Sequence, residues 1–294
     1  MLQYEGLKER IVARFDEMSP QLQKAARYIL ENGQEVALIS MRELARNAGV
    51  QPATMTRLAK FLDLPGYDDI RAQYSQALRS QADGFAARAQ ARDVDGPSGS
   101  GLAHGMVQTL SAQIARLNAP ESIARLERVA DTLAAAGRIY VLGLRSCHSV
   151  AWHFHYVMTL LGEKTVHLDG PAGTGVDGMR RAGPGDVMLV ISISPYAKQT
   201  LELVGLAREK GMGVVAITDS EVSPLSNVSD EVVICATDSA TFFHTLTPAL
   251  AVSEVLCGLL ADRDREAAVR ALQEADRHLQ SLDIYANEIP KRRF

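Results

Sequence analysis

DVMLVISISPYAKQT, residues 186–200, decides the fold. Its first half is a continuous apolar run rather than an alternating one. A strand written this way has both faces buried, which is the habit of parallel sheets covered by helices on each side. The run then passes through Ser192 and Ser194 into Pro195-Tyr196 and on into helical spacing. Working outward, RIYVLGL (138–144), KTVHL (164–168), GVVAITD (213–219) and EVVICA (231–236) have the same character. Segments with helical spacing separate the first four of these five runs, and a loop precedes the fifth. The pattern predicts an α/β domain with a parallel sheet flanked by helices. Apolar helices are expected over 243–261 and, amphipathic and terminal, over 264–283, with KRRF as a solvated tail.

In an open parallel sheet, ligands sit beyond the C-terminal ends of the strands, where the strand order reverses. Two loops fall at such ends: GLRSCHSVAW (143–152) and the loop of the opening stretch. Both lead into helices, whose N-termini favour anions. Ser146, Ser149, Ser192 and Ser194 offer hydroxyls, and Arg145 offers a bidentate cation for phosphate or carboxylate. The ligand class is an anionic small molecule. Helix capping is the competing reading of each serine.

The first eighty residues read instead as successive helices. Ser19-Pro20 starts one of them, and Ser40 with Glu43 fits a capping box. Within MRELARNAGVQPATMTRLAK (41–60), Ala45 is small where two helices cross. Gly49 follows where a turn needs positive φ, and Pro52 suits the first turn of a second helix. Val50, Met55 and Leu58 supply apolar contacts. The spacing fits a helix-turn-helix whose second helix runs from about Pro52 to Phe61. Arg42, Arg46, Arg57 and Lys60 face only Glu43 as an acid in a chain of net charge −4, so the positive patch is local. Candidate DNA contacts are Arg42, Gln51, Thr54, Thr56, Arg57 and Lys60, with Gln51, Ala53, Thr54, Thr56 and Arg57 expected to be exposed. A plain helical hairpin is the alternative.

A chain of 294 residues has room for two domains. Its three cysteines, Cys147, Cys235 and Cys257, are widely spaced without a zinc pattern, which suits a reducing compartment. The N-terminal MLQYEGLKER lacks a signal-peptide core, and no apolar run is long enough to span a membrane. A cytoplasmic protein is expected. DGPSGSG (95–101) reads as a flexible linker, and helical spacing resumes over about 102–136. His148, His153, His155 and the single tryptophan, Trp152, crowd one helix. Without suitable further ligands they read as packing, and neither a metal nor a cofactor is expected. Asp219 at a strand end and Glu254 within an apolar helix are acid–base candidates, or partners in ion pairs, with Glu254 suited to a pair across a dimer.

The order of these motifs, from the helix-turn-helix and FLDLPGYDDI through VLGLRSCHSVA and ISISPYAKQT to AITDSEVSPLSNVSDEVV (216–233), resembles the RpiR/MurR family of bacterial transcription regulators. The resemblance spans 1–80 and about 124–265. It implies an all-α helix-turn-helix domain joined to a sugar isomerase (SIS) domain with a five-stranded parallel sheet. It implies a sensor of a sugar phosphate or related metabolite, acting on double-stranded DNA as a homodimer or higher homo-oligomer. The expected division is 1–80 for DNA binding, 81–123 for a linker and connecting helix, 124–266 for the SIS domain and 267–294 for a C-terminal helix and tail. Two departures stand out. Against the family's GxGxS loop, Arg145 takes the second glycine and Cys147 the serine. Against SxSGxT, Ser192 and Ser194 are kept while Pro195 and Ala197 replace the glycine and threonine. The expected effector residues are Arg145, Ser146, Cys147, Ser192, Ser194, Tyr196, Thr200 and His244, for a sugar phosphate or a sugar acid. The chain is expected to be a regulator and not an enzyme. An aldose–ketose sugar-phosphate isomerase with a helical appendage is the rival.

Overall fold

The computed structural model describes residues 7, 10–82, 85–90, 98–168, 171–221 and 223–285. They form two compact units. The first contains residues up to Met106 together with Asp238–His244, and the second contains Val107–Thr237 and the chain from Thr245 onward.

The first unit is helical: α1 (Pro20–Glu31), α2 (Gly33–Leu38), α3 (Met41–Asn47), α4 (Pro52–Phe61), α5 (Tyr67–Ala82) and α6 (Phe85–Gln90). The expected local signals act where the sequence puts them. Ser40 caps α3 by accepting from the Glu43 amide at 3.3 Å. Ala45 is fully buried in a core with Leu44, Met55, Leu58 and Leu62, and Val50 packs partly buried against it. Gly49 takes φ +61°, and the Val50 amide donates back to the Ala45 carbonyl at 2.9 Å, which closes α3 and redirects the chain into α4. The positive φ favours glycine there; a Cβ would lie 2.7 Å from Lys24 Nζ, the mobile end of a long side chain that can move aside. Ser19 precedes α1 without a side-chain cap bond, so the proline at the first helical position carries that start. The linker signal at 95–101 lies partly outside the described residues, and its last two positions already belong to α7 (Ser100–Arg116).

The second unit continues through α8 (Pro120–Ala135), β1 (Ile139–Gly143), α9 (His148–Thr159), β2 (Thr165–His167), β3 (Val187–Ile191), α10 (Lys198–Glu209), β4 (Gly213–Thr218), β5 (Glu231–Ile234), α11 (Thr247–Arg263) and α12 (Arg265–Ser281). All strand pairs are parallel, in the order β2-β1-β3-β4-β5. Strand side chains alternate between two apolar layers. Ile139, Val141, Leu189, Ile191, Val215 and Ile217 enter the core under α8, α9 and α11. Tyr140, Leu142, Met188, Val190, Val214 and Ala216 enter the opposite core, shared with Leu203 and Val204 of α10. This is why β1 and β3 read as unbroken apolar runs: each is buried on both faces.

One crossover departs from expectation. Between β2 and β3 the chain forms 3-10 turns over Pro171–Arg181 rather than an α-helix. That stretch carries Gly173, Gly175 and Gly178, which weaken an α-helix, and a Cβ on Gly178 would approach Val166 to 2.9 Å. The helix expected from 243 begins at Thr247, where Pro248 fits the first turn. The KRRF tail lies outside the described residues. No helix among the described residues is long and apolar enough to cross a membrane.

Candidate nucleic-acid interface and effector site

The geometry of α4 sorts its residues by face. Met55, Leu58 and Ala59 point into the core, and Thr54 joins them at 6 % exposure. The expectation that Thr54 is displayed is therefore corrected. It sits one residue before Met55 and four before Leu58, which puts it on the packed side of a 3.6-residue helix. Ala53, Thr56, Arg57 and Lys60 share an arc of about 100° on the other side. Of these Ala53, Arg57 and Lys60 are exposed, while Thr56 is half-buried with its hydroxyl 3.8 Å from Met41 Sδ. Gln51 is exposed at the N-cap of α4, and Arg42 is exposed on α3. Arg46 is drawn to Glu43 at 3.4 Å. Lys24, from α1, was not singled out by the sequence; its Nζ donates to the Gly49 carbonyl at 3.1 Å and braces the turn. The outcome is one basic, largely exposed helix face that a phosphate backbone can approach.

In the second unit β1 and β3 are neighbours, with Gly143 opposite Ile191. The chain leaves β1 toward β2 on one side, and β3 lies on the other, so the two ligand loops meet where the strand order reverses. Gly143 permits the return of the first loop, since a Cβ there would lie 2.5 Å from the Cys147 carbonyl and 2.7 Å from the Ala151 Cβ. Arg145 is exposed and holds φ +58°, a left-handed conformation. That explains the family's glycine at this position, and an arginine held there carries about 1–2 kcal/mol of backbone strain. Such strain persists where the surroundings hold the residue, and it concentrates at functional sites.

Cys147 is buried, and burial pushes its thiol pKa up; the sulfur meets the Ile193 backbone, tying the two loops together. The raised value makes the thiol a packing group rather than a nucleophile. Ser146 is half-buried, and its carbonyl accepts from the Ser149 hydroxyl at 3.0 Å. Neither α9 nor α10 is capped by a serine: their N-cap residues are Cys147 and Ala197, without side-chain cap bonds. The capping alternative for these serines is thereby set aside.

The second loop is organised by a residue the sequence offered as an acid–base candidate or an ion-pair partner. Asp219, at the end of β4, accepts from the Ser194 amide at 3.3 Å through Oδ2. Through Oδ1 it accepts from the Tyr196 hydroxyl at 2.8 Å and from the Thr218 hydroxyl at 3.3 Å. Burial and the Asp219 charge both raise the Tyr196 pKa, so the phenol stays a neutral donor. Tyr196 is thus committed to its own chain. The Ser194–Pro195 peptide is cis, and proline brings no amide donor. Ser192 and Thr200 are buried at 3 % and 1 % exposure, and Ser194 is half-buried. The remaining expected residue is His244. It lies in the 238–244 segment of the first unit, where its ring stacks on Phe243 at 4.3 Å.

The histidine-rich helix forms an aromatic cluster that also includes His167, at the end of β2, which the sequence reading did not single out. Its ring lies 5.3 Å from His148, 5.4 Å from His155 and 5.6 Å from Trp152. His155 and His167 are inclined by 18°. His155 Nδ1 pairs with the Thr165 hydroxyl at 2.8 Å and His153 Nδ1 with the Ser253 hydroxyl at 3.0 Å. Glu254 is exposed on α11.

Comparison with known proteins follows the same division. Residues 5–81 match the helix-turn-helix domain of the rpiR family, and residues 132–257 match the SIS domain. The chain is 29 % identical over 232 residues to the HTH-type transcriptional regulator HexR of Pseudomonas aeruginosa, covering 76 % of each. The sugar isomerase domain of an RpiR transcription factor from Sphaerobacter thermophilus superposes with a TM-score of 0.53 at 26 % identity, over 60 % of this chain and 96 % of that one. The Vibrio vulnificus NanR protein, solved with ManNAc-6P, shares the fold at a TM-score of 0.57 and 23 % identity, over 96 % of this chain and all of that one.

Proposed function

Because the chain belongs to the RpiR family of helix-turn-helix transcription regulators, we propose that it binds operator DNA through α4 and senses a small anionic sugar derivative in its SIS domain. DNA contact is assigned to Arg42, Gln51, Thr56, Arg57 and Lys60. Among the described residues Arg42, Arg57 and Lys60 have no ion-pair partner of their own, so their charge is available to phosphates. The working division remains 1–80 for DNA binding, 81–123 as connection, 124–266 as sensor and 267–294 as terminal helix and tail. The setting is the cytoplasm.

The observation that carries the effector reading is Arg145, an exposed cation in a left-handed turn at the strand-order switch. The second loop offers an anion little: Asp219 already takes the Ser194 amide, and Pro195 has none. The anionic end of the effector therefore belongs with Arg145 and Ser146. Its hydroxyls belong nearer Ser192 and Ser194. A sugar phosphate remains the class suggested by the neighbours, the ManNAc-6P complexed with NanR being one example; a sugar acid fits a single-arginine anchor equally well. Effector binding biases the placement of the DNA-binding domains only if it favours one of two states.

A binding role rather than isomerisation is supported by Asp219, whose carboxylate is engaged by Tyr196, Ser194 and Thr218 instead of standing ready to abstract a proton. The test is binding to DNA from the chain's own upstream region at two salt concentrations, with Arg57→Ala/Lys60→Ala as control and a panel of sugars, sugar phosphates and sugar acids. Specific, salt-sensitive binding that the double variant loses, and that one panel class shifts, is the expected result. Absence of specific binding together with turnover of a sugar phosphate by the purified protein would establish the isomerase instead.

A further inference from the structure

Asp219 follows β4, the strand beside β3, and its charge reaches both ligand loops. Burial chiefly raises the thiol pKa of Cys147 on the first loop and of Cys235 after β5, and the Asp219 charge adds to both. On the second loop the same carboxylate holds the Ser194 amide and the Tyr196 hydroxyl. Asp219 is half-buried and forms no ion pair among the described residues; Lys198, exposed at the start of α10, is not paired with it. The backbone of the second loop gives an incoming anion little in exchange. The Ser192 amide donates to the Ile217 carbonyl at 3.1 Å and the Thr200 amide to the Ala197 carbonyl at 3.0 Å. The Ser194 amide already serves Asp219, and Pro195 has none. What the carboxylate does offer is an acceptor. Oδ1 takes two donors and Oδ2 one, so Oδ2 keeps a lone pair for a further hydroxyl.

We propose that Asp219 determines the specificity of the effector site: it accepts a hydroxyl and repels a phosphate, so that the effector is an unphosphorylated sugar acid whose carboxylate lies on Arg145. This role rests on the effector reading of the two loops and narrows it to one ligand class. A phosphate monoester carries a charge of about −1.5 to −2 at pH 7 and is left with little proton to donate. Beside Asp219 it meets like charge with no hydrogen bond to offset it. A sugar hydroxyl there donates to Oδ2 and brings no charge. A phosphate turned round onto Arg145 fares little better. One guanidinium answers one of its charges, and the other meets the Asp219 field, which extends to Cys147 two residues away. A carboxylate carries a single charge and matches the arginine fork. Attraction at one loop and repulsion at the other thus set both the class and the direction of the ligand, and the repulsive element is what separates ligands that share a carbon skeleton.

The test is titration calorimetry of the full chain against gluconate, galactonate, glucuronate and galacturonate, and against the 6-phosphates of glucose, galactose and gluconate. Wild type, Arg145→Ala and Asp219→Asn are compared, with far-ultraviolet circular dichroism to verify that each variant is folded. The expected result is that wild type binds one of the acids roughly 10-fold or more tightly than any of the phosphates. Arg145→Ala binds none of them. Asp219→Asn keeps the size of the side chain without its charge, gains affinity for phosphates, and so lowers the acid-to-phosphate ratio by roughly 10-fold. A merely structural role for Asp219 would weaken both classes together and leave the ratio unmoved. A phosphate that binds wild type as tightly as the acids do would overturn the proposal, and so would a folded Asp219→Asn with an unchanged ratio. Should that variant not fold, the wild-type ratio decides alone. Failure of the effector reading itself looks different: binding that survives Arg145→Ala, or no binding by either class, removes the site and the proposal with it.

Discussion

At Arg145 a side chain useful for binding sits on a backbone that suits glycine. The two demands separate in one substitution. Arg145→Gly relieves the left-handed strain, and folding stability is expected to rise by about 1 kcal/mol, offset in part by the greater chain entropy of glycine. The same change removes the guanidinium, so effector-induced stabilisation and the effector's influence on DNA binding should both disappear. Thermal melts with and without the active panel compound check this; a variant that is less stable and still responsive would refute it. Tyr196 makes the complementary case. Tyr196→Phe removes the donor to Asp219 Oδ1, and a loss of about 1 kcal/mol is expected, read as a lower melting temperature of the second unit. Gly49→Ala tests the turn of the helix-turn-helix: the positive φ predicts a cost of about 1 kcal/mol, with the Lys24 bond to the turn displaced, and weaker DNA binding.

At the scale of elements, the exposed arc of α4 predicts a salt effect. Each phosphate contact contributes about 0.9 to the slope of log binding constant against log salt. Arg57→Ala/Lys60→Ala is therefore expected to lower that slope by roughly 2 per bound subunit, while Thr54→Ser, altered on the packed side, should leave it unchanged. Titration of one operator fragment at several salt concentrations gives both slopes. A second element-level prediction concerns the β4–β5 edge. Asp230 accepts from both terminal nitrogens of Arg208, at 2.7 and 2.8 Å, and from the Val214 amide at 2.8 Å. The arginine bond chiefly holds the Asp230 carboxyl below its ordinary value of 3.8. A depressed carboxyl stabilises the fold above the unfolded pKa, and that contribution fades as pH falls through the folded pKa. Asp230→Asn should thus lower the melting temperature at neutral pH. The difference from wild type should close below pH 3.8, and it should be modest because the pair is exposed. Melting curves between pH 3 and 7 measure it.

At the scale of the whole molecule, sensing requires that a ligand in the SIS domain alter what the helix-turn-helix does. An effector at one hundred times its dissociation constant stabilises the binding-competent unit by about 2.7 kcal/mol. Only the part of that energy that differs between two states moves DNA binding. If two copies pair, as the family resemblance implies, the effector acts on a paired molecule and an inverted repeat becomes the natural operator. An operator cut to a single half-site should then bind at least an order of magnitude more weakly than the full repeat. Equal affinity for the two would argue for monomers acting singly.

The sequence by itself determined the class of each unit and the order of its parts. Unbroken apolar runs need both faces covered, and an alanine, a glycine and a proline at 45, 49 and 52 need a close crossing, a left-handed turn and a helix start. These are local rules, and the chain obeys them locally. It also marked Arg145 and the serines, because loops at strand ends carry their chemistry in sequence. What only the tertiary structure decided was who meets whom. Thr54 differs from Thr56 by a rotation about a helix axis that is set by packing. Tyr196 and Asp219 are twenty-three residues apart and meet because β3 and β4 are neighbours. His167 reaches His148 and His155 because β2 lies beside β1 under α9, while His244 falls to the other unit. Long-range partners depend on strand order and helix placement, which are properties of the assembled core rather than of any single stretch of chain.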